Sequence, residues 1–216
     1  MRRVLFCATV LGPVVLCCAL SPAASVTMGF DDIQTSGIYE LDYYWGFNWE
    51  TIRVLNSHWN DPEPSGFANG AVSPENLAFN YAGADGWMRR QNGEEIDFNS
   101  AYLISGWRIG LNVDVIGYRD GAQVYQKTIT GLSNQTPELY DFGFLNVDEV
   151  FFHAYGGTAD PDYPFSSTAF GMDDIVFNNV PTLIPPGSQV PEPLTAGCAL
   201  LGLLAIAGYL RKRTLA

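Results

Sequence analysis

Two pairs of adjacent carboxylates bracket the middle of this 216-residue chain, Asp31-Asp32 near the start and Asp173-Asp174 near the end. If the first and last strands of an antiparallel sandwich lie side by side, these four groups can converge on one hard cation. Calcium is the natural choice, since it takes several oxygen ligands at about 2.3–2.6 Å. Neighbouring residues on a strand point to opposite faces, so only one of Asp173 and Asp174 is expected to be a side-chain ligand. The competing role is ordinary: solvent-facing acids, with Asp31 or Asp32 capping a turn.

A second set is aromatic: Tyr43, Tyr44, Trp45, Phe47, Trp49 and Trp59, with Trp87 and Trp107 further on. A sugar lays its apolar C–H face on an exposed ring while nearby Asn, Asp or Arg take its hydroxyls. Trp45, Trp59 and Trp87 stand in polar, glycine-containing surroundings that read as loops, where such a platform would be mounted. Trp49 and Trp107 lie in strand-like runs and are assigned to the core.

Glu95-Ile96-Asp97-Phe98 resembles the Glu-x-Asp-x-Glu catalytic strand of a jelly-roll glycoside hydrolase family. Here Asn99 occupies the place of the second Glu, so the general acid is missing. A retaining mechanism needs two carboxyls about 5–5.5 Å apart. Glu95 and Asp97 are therefore read as the polar half of a strand whose Ile96 and Phe98 face the core. Other enzyme templates fail: Ser105-Gly106-Trp107 is not a nucleophile elbow, and His58 and His153 have no recognisable nucleophile partner. Two histidines are also too few for a multi-histidine zinc site.

The elements that must position these residues are short alternating runs separated by Gly, Pro, Asn and Asp, the pattern of β-strands. The clearest is Leu111 to Ile129, where Leu111, Val113 and Val115 alternate with Asn112 and Asp114 before Asp120-Gly121 turns the chain into Val124 to Ile129. Further strands are expected at Ile38 to Tyr43, Trp49 to Leu55, Leu77 to Tyr81, Ile96 to Trp107, Glu149 to Ala154 and Phe170 to Phe177. Asn56 to Ser65 and Gly156 to Ser167 read as long loops. The whole reads as an all-β domain at 26–179, an antiparallel β-sandwich of jelly-roll type. A proline-rich linker follows at 180–189.

Between residues 26 and 189 six basic residues face twenty-two acidic ones, a net charge of about −16. That charge disfavours nucleic acid and anionic lipid as partners. The cysteines, Cys7, Cys17, Cys18 and Cys198, all lie outside this region, so the domain has neither disulfides nor thiol chemistry.

Both ends read as targeting segments. Met1-Arg2-Arg3, an apolar stretch from Val4 to Leu20 and the small residues of Ser21 to Ser25 make a secretory signal peptide at 1–25. At the other end Pro191-Glu192-Pro193 precedes an uncharged stretch at 194–210 and the basic cluster Arg211-Lys212-Arg213. Seventeen residues at about 1.5 Å each give a short transmembrane helix, and the basic cluster stays cytoplasmic. Together, residues 190–216 resemble the PEP-CTERM sorting signal of Gram-negative bacteria that make exopolysaccharide. The resemblance implies recognition of Pro191, Glu192 and Pro193 by an exosortase, single-pass residence in the inner membrane before processing, and delivery to the cell surface or extracellular matrix. The domain is similar to jelly-roll domains that precede such tails, through Gly29-Phe30-Asp31-Asp32, Phe98 to Leu103, Val115 to Gly121 and Phe170 to Phe177. That likeness implies carbohydrate binding and a structural calcium near the terminal strands. The expected function is non-catalytic contact with exopolysaccharide; the alternative is a structural or adhesive matrix protein with no sugar pocket.

Overall fold

The computed structural model describes residues 25–59 and 64–178. The linker, the sorting tail with its expected membrane span, and the leader apart from Ser25 lie outside the described residues. Among the described residues no helix is long and apolar enough to cross a membrane.

Thirteen strands among the described residues form two antiparallel sheets. The first runs in the order β11 (Glu138–Val147), β8 (Ile96–Ser105), β13 (Phe170–Asn178), β6 (Asn76–Asn80), β5 (Ile52–Asn56) and β2 (Ile38–Glu40), and β1 (Val26–Met28) also pairs with β13. The second runs β10 (Ala122–Leu132), β9 (Arg108–Arg119), β12 (Glu149–Ala159), β7 (Gly86–Arg90), β4 (Phe47–Glu50) and β3 (Tyr43–Tyr44). The all-β sandwich expected from the alternation is what forms.

The main core lies between the sheets, because alternate residues of each strand turn inward. Leu111, Val113 and Val115 of β9 are fully buried, as are Phe98, Phe152, Phe170 and Phe177 from both sheets. Phe177 is 5.3 Å from Phe47 and 5.9 Å from Phe98, ring centre to ring centre.

The β9–β10 hairpin turns at Asp120-Gly121 as expected, with φ of 50° and 75° at the two turn residues and Arg119 paired to Ala122. That is the left-handed pair a two-residue hairpin loop demands. Four expectations change. The single strand read from Trp49 to Leu55 is two: Thr51, at φ 63°, sends the chain from β4 in one sheet to β5 in the other. The strand read from Ile38 to Tyr43 is also two, since β2 ends at Glu40 in the first sheet and Tyr43 belongs to β3 in the second. The loop read at Gly156 to Ser167 begins later, because β12 stays paired to β9 through Ala159. β7 and β11 occupy stretches for which no strand was expected.

Candidate functional site

The first sheet carries a second apolar cluster on its outer face, where Leu55, Leu77, Phe79 and Ile104 point away from the main core. A one-turn 3₁₀ helix, Gly66–Asn69, lays Phe67 across them. The close approach depends on glycine: a Cβ on Gly171 would lie 2.5 Å from Leu77 Cδ1, and one on Gly106 2.4 Å from the Phe67 ring. Phe67 meets Trp107 edge-on, at 5.3 Å and 89°.

Beside this cluster opens an apolar groove of about 700 Å³, walled by Trp59, Phe67, Phe79, Tyr81, Trp107 and Phe165. Three of its rings face solvent: Trp59 at 42% exposure, Tyr81 at 42% and Phe165 at 52%. The wall carrying Phe165, Ser166 and Ser167 is tied down by Arg108, whose guanidinium donates to the carbonyls of Gly156 (2.7 Å), Gly157 (2.8 Å) and Ser166 (2.6 Å). Phe165 then packs 5.0 Å from Trp107. From Ala169 in the groove wall, β13 carries the chain to Asn178 at the opposite end of the strand, about 30 Å of chain at strand rise. A smaller hollow of about 240 Å³ adjoins the groove through Tyr81, which lines both. There the Arg53 guanidinium lies 3.6 Å over the Tyr81 ring and pairs with Glu40 at 3.3 Å.

The structure does not bring the three expected sugar-binding tryptophans together. Trp59 is exposed in the groove. Trp45 sits with Gly46 in the β3–β4 turn at φ 53°, but its ring is half-buried against the main core. Trp87, expected in a loop, is in β7, paired to both β12 and β4. Its neighbour Met88 points into the core, so Trp87 projects from the outer face of the second sheet, half-buried against Phe151 at 4.2 Å and under the Arg89 guanidinium at 4.2 Å. Tyr81 and Phe165 were not among the residues singled out from the sequence.

The terminal strands do lie side by side, with Met28 opposite Ile175. Asp173 is nonetheless an internal acceptor. It is fully buried, and its Oδ2 takes the backbone N–H groups of Val72 (2.8 Å) and Ser73 (3.0 Å) while Oδ1 takes that of Asp174 (2.7 Å). Burial raises its pKa from the ordinary value to about 6, although these donors pull it down. Asp32 turns to the Tyr44 hydroxyl, and burial followed by this carboxylate raises the Tyr44 pKa steeply. Asp31 and Asp174 remain, although Asp31 Oδ1 already accepts the Asn76 N–H at 3.1 Å. A Cβ placed on Gly29 would be 3.6 Å from Asp31 Oδ2, 3.6 Å from Asp174 Oδ1 and 3.3 Å from Ser73 Oγ, so two carboxylates and a hydroxyl converge there. Burial, and then the Asp31 charge, raise the Asp174 pKa against the Ser73 hydroxyl. Among the described residues no three His, Cys, Asp or Glu side chains gather as a metal-holding group.

Glu95 and Asp97 are engaged as strand acids: Glu95 pairs with Arg119 at 3.5 Å, and Asp97 accepts from the Asn146 N–H at 2.9 Å while Ile96 and Phe98 are buried. His153 is taken up by Asp85, 2.6 Å away. Asn134, first residue of a glycosylation-like triplet, is buried and donates to Asp160 at 2.7 Å.

No protein-family model and no curated protein matches the chain. Among solved structures, a DUF4465 family protein from Bacteroides caccae is similar with a TM-score of 0.50 at 10% identity, covering 71% of this chain and 98% of its own. A DUF4465 family protein from Bacteroides ovatus scores 0.43 at 10% identity over 74% and 90% of the two chains. A carbohydrate-binding module, TmCBM61 in complex with β-1,4-galactotriose, scores 0.35 at 8% identity over 62% and 88%. The first likeness shows the sandwich fold; the two lower scores carry no argument about this chain.

Proposed function

We propose that this chain is an exported bacterial surface or matrix protein whose sandwich contacts extracellular polysaccharide without cleaving it. The observation that carries the reading is the groove on the outer face of the first sheet, with Trp59, Tyr81 and Phe165 exposed together. Exposed rings around an apolar hollow suit the C–H faces of sugars. The strand order β6-β13-β8-β11 over β7-β12-β9-β10 is the basis for reading the sandwich as a jelly roll.

Delivery is assigned to the tail. Pro191-Glu192-Pro193, the span at 194–210 and Arg211-Lys212-Arg213 support sorting by an exosortase at the inner membrane and release to the cell surface or matrix. The described chain ends at Asn178, at the end of β13 remote from the groove. We include a structural calcium in the proposal, with Asp31 and Asp174 as its carboxylates over Gly29. A divalent cation there relieves the repulsion between them.

The test is retention of the full chain, purified in detergent, on polysaccharide from the matrix of the producing strain. Retention lost in Trp59→Ala and Phe165→Ala supports the reading. Wild-type chain that fails to bind any polymer favours the structural or adhesive matrix protein, for which the same apolar groove is a protein contact.

A further inference from the structure

The groove and the hollow beside it share Tyr81, and the charges around them are unevenly placed. Among the described residues the groove lining has no charged side chain, and Arg53 is the one basic residue lining the hollow, alongside the acids Glu40 and Asp42. Arg53 is already engaged twice, stacked on Tyr81 at 3.6 Å and paired with Glu40 at 3.3 Å. An incoming carboxylate or sulfate thus finds no uncommitted cation among the described residues of either hollow and meets the domain's net charge of about −16. We propose that groove and hollow form one extended cleft selective for neutral polysaccharide, in which Tyr81 is the shared stacking ring and the Glu40–Arg53 pair determines specificity by neutralising the Arg53 charge. This rests on the polysaccharide-contacting reading above.

The geometry fits a chain rather than a single sugar. The groove supplies Trp59 and Phe165 as apolar platforms, and Ser166 and Ser167 as hydroxyl partners. Beyond Tyr81 the hollow offers Glu40, Asp42 and Arg53 to a neighbouring residue of the same polymer. Carboxylates and a guanidinium hydrogen-bond neutral hydroxyls from either side. The pair is a surface one, with the Glu40 side chain 71% exposed, so breaking it changes recognition without threatening the fold.

The test is affinity electrophoresis of the full chain in a polyoxyethylene detergent, with gels holding matched neutral and charged polymers: hydroxyethylcellulose against carboxymethylcellulose, dextran against dextran sulfate, and galactan. Retardation is expected on a neutral polymer and not on its charged counterpart. Tyr81→Ala weakens it about tenfold, the loss of one good stacking contact. Glu40→Gln frees Arg53 and shifts relative affinity toward the charged polymer by about threefold, a surface-pair effect. Glu138→Gln makes the same charge change away from the cleft and leaves the ratio alone. Thermal melts confirm that each variant is folded, with Tyr81→Leu replacing Tyr81→Ala if the latter fails. If Trp59→Ala abolishes binding but Tyr81 and Glu40 variants behave as wild type, the groove stands and the two-part neutral cleft is wrong. Preference for the charged polymer by wild type overturns the selectivity in the same way. If no polymer retards the chain, both the function and this inference fall.

Discussion

Replacing Asp173 should reveal how the 72–73 segment, and through it the Phe67 wall of the groove, is held to the sheet. The fully buried carboxylate is the acceptor for three backbone N–H groups, of Val72, Ser73 and Asp174, and for the Ser73 hydroxyl at 3.2 Å. Asp173→Ala removes the acceptor from all of those donors, in bonds that are only partly open to solvent. At about 1–3 kcal/mol for each unsatisfied group, less what local relaxation recovers, the loss should be about 3–6 kcal/mol. The acid also leaves a signature in pH. Its folded pKa of about 6 lies above the ordinary carboxylate value of 3.8, so the folded state binds the proton more tightly. The contribution of protonation to stability is fully present below about pH 4 and is lost as pH rises through about 6. That difference in proton affinity between the folded and unfolded chain is worth about 3 kcal/mol from one end of the window to the other. Asp173→Asn keeps the shape, cannot ionise, and turns an NH₂ toward a backbone donor, so it should cost about 1–3 kcal/mol at low pH. Denaturant unfolding of wild type and both variants at pH 4, 5, 6 and 7.5 measures this, and the difference between wild type and Asp173→Asn cancels the other acids. Wild type should lose ground to the Asn variant as pH rises. A difference that is flat with pH, or an Ala variant within about 1 kcal/mol of wild type, would show that Asp173 does not hold the segment in this way.

Three further outcomes are expected. Trp59→Ala and Phe165→Ala should leave the unfolding midpoint nearly unchanged, whereas Trp49→Ala or Trp107→Ala, which empties a buried site, should cost about 3–5 kcal/mol in the same denaturant experiment. Calcium should raise the melting temperature over that in chelator, by about 2.7 kcal/mol of stabilisation at a hundredfold excess over Kd, and Asp31→Asn or Asp174→Asn should abolish the difference; coincident wild-type melts remove the ion. In a strain with an active exosortase, peptide mapping of surface-localised protein should recover nothing beyond the Pro191-Glu192-Pro193 region, and recovery of the tail through Ala216 counts against processing.

The parts of the fold legible in the sequence were those with local signals. Leu111 to Val115 alternates cleanly, and Asp120-Gly121 is a turn pair with a physical preference for positive φ, so the hairpin could be read directly. β11 could not: left-handed backbone at Gly143 and Asn146 interrupts its pairing, and its Leu139 and Leu145 face solvent, so the alternation is lost. β7 is disguised by Arg89-Arg90, of which Arg90 is buried and Arg89 lies over Trp87. The side-by-side terminal strands on which the acid-pair reading was conditioned do form, with β1 paired to β13. Nothing local showed that the 72–73 segment would claim Asp173, a contact across 100 residues. The groove has the same character. Trp59 was legible as a ring in a polar stretch, whereas Tyr81 and Phe165 join it only because Arg108 and the outward cluster under Phe67 bring distant loops to one face.

The most direct test of the account is calorimetric titration of the full chain in detergent with neutral polysaccharide, comparing wild type with the Trp59→Ala/Phe165→Ala double variant after both are shown to melt alike. Saturable binding by wild type, lost in the double variant, is the expected result. Equal binding by the two proteins, or none by wild type to any neutral polymer or to the producing strain's own matrix polysaccharide, would contradict it.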